Sequence, residues 1–136
     1  MTDDRLIAAF EQGELRHDSF HHADHVRLAF LYLRRFPALV ALRRFSRSLE
    51  RFAEAGGKPN RYHETITWAF VLLIRERIKR RSRETNSQAD WTEFAADNPD
   101  LLSWDRPILK KYYLDETLAS DLARTTFILP DCGLRS

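Results

Sequence analysis

The chain has 136 residues, 43% hydrophobic and 31% charged, a balance that fits a folded domain with its own core and excludes a disordered chain. Twenty-two basic against twenty acidic residues leave a formal charge of +2, which excludes the strong general field a polyanion-binding protein would carry. A single cysteine, Cys132, excludes an internal disulfide, and the longest apolar run, Ile66 to Ile74 with Thr67 inside it, is far short of the ~20 residues that cross a bilayer.

In chain order, helix signals dominate, and no two-residue alternation is long enough to argue for a sheet. The opening MTDDRLIAAFEQ has acidic residues where a secretory signal has basic ones, which points to a cytoplasmic protein with no membrane partner. Thr2 and Asp3 can cap a first helix to about Gln12 that buries Leu6, Ile7 and Phe10 and stops near Gly13. A second helix is expected from His21 or His22 to Phe36, ended by Pro37, which suits the first turn of a third. That third helix carries Ala38, Leu42, Phe45, Leu49 and Phe52 as one apolar stripe and stops at Gly56 and Gly57. After the GGKPNR loop, Asn60 can cap a fourth helix from about Arg61 to Arg83, apolar on nearly every face and therefore central.

Beyond the polar linker SRETNSQA the pattern shortens. Asp90 to Glu93 has capping-box spacing and opens a short helix that Asn98-Pro99 ends. Further short helices are expected at Pro107 to Tyr113 and Asp115 to Thr126, with FILPDCGLRS extended. Trp91, Trp104, Tyr112 and Tyr113 read as anchors that fasten this cap to the bundle. The fold class is all-α: one helical domain with a bundle over about 3–83 and a helical cap over about 90–136.

The histidines follow from topology. The chain has five, and His21, His22 and His25 crowd the start of the second helix while His63 stands at the start of the fourth. Short connections make consecutive helices antiparallel. The second and third helices, about fifteen and about seventeen residues at ~1.5 Å each, return the chain to its starting level. The starts of helices two and four should therefore share one end of the bundle. Helical spacing turns His22 and His25 toward the core and leaves His17 and His21 outside the cluster, with Asp24 free to pair with Arg27.

Neutral imidazoles and a carboxylate at helix N-termini suit a divalent transition metal. His22, His25, His63 and Glu64 would form a three-nitrogen, one-oxygen site for zinc, iron or copper. Glu64 can serve as ligand or general base, with Arg27 beside a metal-free acid/base pair. A lone histidine at a helix start is commonly a cap, so the weight rests on the cluster. The order HxxH is not the HExxH of zincins, and no metalloprotease follows. The basic end of helix four, Arg75 to Arg83, answers to the helix dipole and argues little for a nucleic-acid partner. Nothing brings Cys132 to the site.

The residues Phe20, His22, Asp24 to Ala29 and Leu31 to Leu33, then Tyr62-His63-Glu64-Thr65-Ile66-Thr67, and later Asn98-Pro99-Asp100-Leu101-Leu102, carry a resemblance. The chain resembles a family of small, functionally uncharacterised bacterial proteins that share F-x-H-x-x-H-x-R-x-A, Y-H-E-T-[IL]-T and N-P-x-L-L stretches. The resemblance covers most of the chain and implies no activity; Phe20, His22, His25, Arg27, His63, Glu64, Thr65 and Thr67 occupy its pattern, and His17 and His21 do not. The expected function is a small metal-dependent enzyme acting on a small-molecule substrate. The alternative is a non-catalytic module that binds a small ligand or a partner through the same pocket, and a homodimer is compatible with either.

Overall fold

The computed structural model describes residues 2–132. Helix α1 is Asp3–Glu11, with the Thr2 hydroxyl accepting the Arg5 N–H. A 3-10 turn, His17–Ser19, leads into α2, His22–Arg35. Helix α3, Ala38–Ala55, starts after Pro37, and a second 3-10 turn, Pro59–Arg61, precedes α4, Glu64–Thr85. The cap comprises α5 (Trp91–Asp97), α6 (Pro99–Leu102), a 3-10 turn over Pro107–Lys111, α7 (Asp115–Leu118) and α8 (Asp121–Thr125). No strand occurs among the described residues, and none of their helices is long and apolar enough to cross a membrane.

Helices α2 and α4 run parallel with α3 returning between them. At one end His22 meets Phe70 of α4 edge-on, ring centroids 4.9 Å apart; at the other, Arg34 of α2 donates to the Ala89 carbonyl just past α4. The core is continuous and aromatic-rich: Phe10 packs on Phe20, Phe45, Phe52 and Tyr32, and Phe30 packs on Trp91 and Phe94. Offset and edge-on ring pairs of this kind add roughly 0.5–1.5 kcal/mol each beyond their buried area.

The fold departs from the sequence pattern at several local points. Helix α4 begins three residues later than expected, because Pro59 starts a 3-10 turn and His63, not Asn60, is the cap. Asp24 does not pair with Arg27: its carboxylate accepts the His21 N–H at 2.8 Å and so closes the first turn of α2. The expected helix over Asp115 to Thr126 is two, broken where the Ser120 hydroxyl caps α8 by accepting the Ala123 N–H. Trp104 is 80% exposed and anchors nothing, whereas Trp91 and Tyr113 pack as expected. The last four residues of the expected extended tail lie outside the described residues.

The cap is fastened to α4 by hydrogen bonds that its short helices could not replace. Thr65, fully buried, donates its hydroxyl to the Thr126 carbonyl at 2.8 Å and accepts the Ile128 N–H at 3.1 Å. Tyr113 donates to the Ile128 carbonyl at 2.7 Å, and Phe127 stacks on Trp68. The basic end of α4 faces the cap as well. Arg77 forks onto Asp100 and also reaches Asn98, while Arg81 joins Glu93 and Asp97.

Candidate functional site

A cavity of about 370 Å³ lies where the starts of α2 and α4 meet the end of α3. Its walls are mainly apolar, built from Phe20, Val26, Phe45, Leu49, Phe52, Ile66 and Phe70. Four imidazoles, those of His17, His22, His25 and His63, border the same space, and Lys58, Arg61 and Arg106 stand with them. Concave apolar space with a few polar groups converging on it is the usual form of a small-molecule site.

Three of the imidazoles are occupied in holding the fold. As N-cap of α4, His63 accepts the Ile66 N–H at Nδ1 (3.1 Å) and donates Nε2–H to the Leu118 carbonyl at 2.8 Å. Both of its nitrogens are used, which sets a neutral Nε2–H tautomer. His22 donates Nε2–H to the Leu101 carbonyl at 2.9 Å. Each of these two rings thus links a bundle helix start to the cap. His17 donates to the Phe52 carbonyl at 2.9 Å and stacks on the Phe52 ring with centroids 4.0 Å apart.

His25 is different. Its ring packs at 4.5 Å from the Phe20 ring and makes no hydrogen bond to any described residue, and its nitrogens are not among the buried unpartnered atoms. They therefore open onto the cavity. Surrounding protein pushes its pKa down to about 4, helped by repulsion from His22 and Arg106 and opposed by Asp24. At neutral pH it offers one N–H donor and one bare nitrogen. Burial also lowers the proton affinities of His22 and His63, partly offset by their carbonyl partners, and Arg106 lowers both further.

The structure thus brings His22, His25 and His63 to one cavity and adds His17, which was expected outside it. Glu64 and Arg27 do not border this space. The Glu64 carboxylate accepts from Arg47 of α3 at 2.6 Å and from the Tyr62 hydroxyl, which ties α3 to α4. Burial, then this bond to Glu64, pushes the Tyr62 hydroxyl pKa up. Arg27 lines a separate cavity of about 190 Å³ with Leu6, Leu15, Asp24 and Leu28, and its Nε is buried without a partner. Among the described residues, no group of three or more histidine, cysteine, aspartate or glutamate side chains is arranged to hold a metal ion. The expected set of His22, His25, His63 and Glu64 is not assembled, since His63 has no free nitrogen and Glu64 is turned to Arg47.

Helical spacing missed two residues of the site. His17 sits in a 3-10 turn where no helical period applies. Its trace in the sequence is Gly56: the backbone there is ordinary, but an added Cβ would lie 2.6 Å from His17 Cδ2, so the glycine makes room for the ring. Arg106 left no trace. It is left-handed, φ 52° and ψ 52°, immediately before Pro107, and a non-glycine residue held so costs on the order of 1–3 kcal/mol. Comparison with protein-family models, curated proteins and solved structures gives no match.

Proposed function

We propose that the protein binds a small, mainly apolar organic molecule in the cavity at the starts of α2 and α4, with His25 meeting the molecule's polar group. One observation carries the reading: His25 alone among the four imidazoles has both ring nitrogens uncommitted, at a cavity whose walls are mainly apolar. An uncompensated polar group in such a place is costly unless a ligand or water satisfies it. The binding module is favoured over the metal-dependent enzyme because metal ligation would require His63 to give up two hydrogen bonds and Glu64 to leave Arg47. Turnover is a second reading, favoured by the bare nitrogen of neutral His25, which can take a proton from a bound molecule.

A fragment screen by ligand-observed NMR tests the binding reading. Hits should bind wild type, and Ala53→Phe, which puts a ring into the cavity from α3 and leaves every histidine in the chain, should abolish them. Equimolar zinc should leave the melting temperature unchanged, whereas a bound ion would raise it by mass action. Fragments that bind Ala53→Phe as well as wild type would contradict the proposal.

A further inference from the structure

We infer, building on the pocket proposed above, that its ligand is an organic acid, an apolar body carrying a carboxylate that Arg106 holds at the cavity wall. The charges around the cavity are unbalanced. Lys58, Arg61 and Arg106 all border it, and none has an ion-pair or side-chain hydrogen-bond partner among the described residues. The one carboxylate on the wall, Asp18, is engaged by Arg16 at 3.0 Å. Other arginines do find carboxylates, as with Arg44 and Glu11, Arg47 and Glu64, Arg77 and Asp100, and Arg81 and Glu93. Three exposed cations thus border one mainly apolar cavity, and the carboxylate on its wall is already engaged.

Arg106 is the one whose charge reaches all three of the buried imidazoles. It is close enough to His22, His25 and His63 to lower the proton affinity of all three, so its charge is felt across the polar side of the cavity. It is held there in left-handed backbone before a proline, strain of the kind that collects at functional sites. The imidazoles, kept neutral chiefly by burial, do not duplicate its charge, which leaves the Arg106 guanidinium and the His25 N–H, with Lys58 and Arg61 beside them, as donors to an anion. A guanidinium fork matches a carboxylate. The apolar walls favour a monoanion with a hydrocarbon body over free phosphate, whose second charge would be poorly solvated there. At about 30 Å³ per water-sized group, the cavity of about 370 Å³ admits a molecule of roughly a dozen or more non-hydrogen atoms.

Isothermal titration with naphthoate, its neutral amide naphthamide and inorganic phosphate tests the inference on the full chain. Wild type should bind naphthoate at least tenfold more tightly than naphthamide, and added salt should weaken only the acid. Arg106→Asn, which suits left-handed backbone and removes the charge, should erase that difference and leave naphthamide unchanged; Arg106→Lys should restore part of it. Equal affinity for acid and amide, or a preference that survives Arg106→Asn, overturns the acid inference and leaves the pocket standing. Phosphate displacing naphthoate at micromolar concentration overturns it in favour of a simple anion site. Binding of neither acid nor amide overturns both readings.

Discussion

Gly56 and His17 form a pair that stability measurements can separate. Alanine at an ordinary backbone angle would normally stabilise by about 0.4–1 kcal/mol through the unfolded state. Here its methyl group meets the His17 ring, which must leave Phe52. Gly56→Ala should therefore lower unfolding free energy by about 1 kcal/mol, the worth of the displaced hydrogen bond, and His17→Ala in the same chain should turn that loss into a gain. Additive effects in urea titrations of the double mutant would refute the contact. Glu64 gives a second test at this scale. Bound to Arg47 and Tyr62, it is a tie between helices. Glu64→Gln should cost about 1 kcal/mol and leave fragment affinity unchanged, as a thermal melt and a titration would show.

At the scale of elements, His22 and His63 act as staples between bundle and cap. Helices of four to seven residues, such as α5 to α8, are too short to stand alone. Their order depends on bonds such as His63 to Leu118 and His22 to Leu101. His63→Ala loses a helix cap and strands the Leu118 carbonyl, together about 2 kcal/mol. His63→Asn should keep the cap and recover about half, since Asn caps well but does not reach Leu118. Hydrogen exchange should show the loss of protection concentrated in α7 and α8; uniform loss over the bundle would refute the staple. The arrangement of α2, α3 and α4 was legible in the sequence because apolar stripes, Pro37 and the Gly56-Gly57 stop report helix length and direction. The Asp90 and Glu93 capping box was legible for the same reason, its chemistry being local. The place of Glu64 was not legible. Helical-wheel reasoning counted His63 as helical, but as a cap it has extended backbone, φ −132° and ψ 111°, and the 100° step to Glu64 does not apply. His17 and Arg106 lie in segments without any period, so only the folded chain brings them to the cavity.

Over the whole molecule, the buried imidazoles set the response to acid. His22, His25 and His63 all have folded proton affinities below the ordinary value of 6.5. The unfolded chain then binds more protons than the folded one, so stability is lost as pH falls below about 6.5, and for His25 the loss is complete near pH 4. The His25 share is up to about 3 kcal/mol. At lower pH, Glu11 and Asp100 add to the loss, because their arginine partners hold their pKa values below the usual carboxylate range. Urea midpoints should fall between pH 7 and pH 4.5, and His25→Leu should flatten the profile. A profile unchanged by that substitution would show that His25 is not buried as described.

The central claim is that three imidazoles hold the fold while His25 waits for a ligand, and a two-bond imidazole nitrogen–proton NMR spectrum reads it directly. At neutral pH, His22 and His63 should appear as fixed Nε2–H tautomers that keep their shifts when a cavity-binding fragment is added. His25 should stay neutral until about pH 4 and move on adding the fragment. A His25 resonance that titrates near 6.5 and ignores bound fragment, or a His63 resonance that exchanges tautomers freely, would contradict the account.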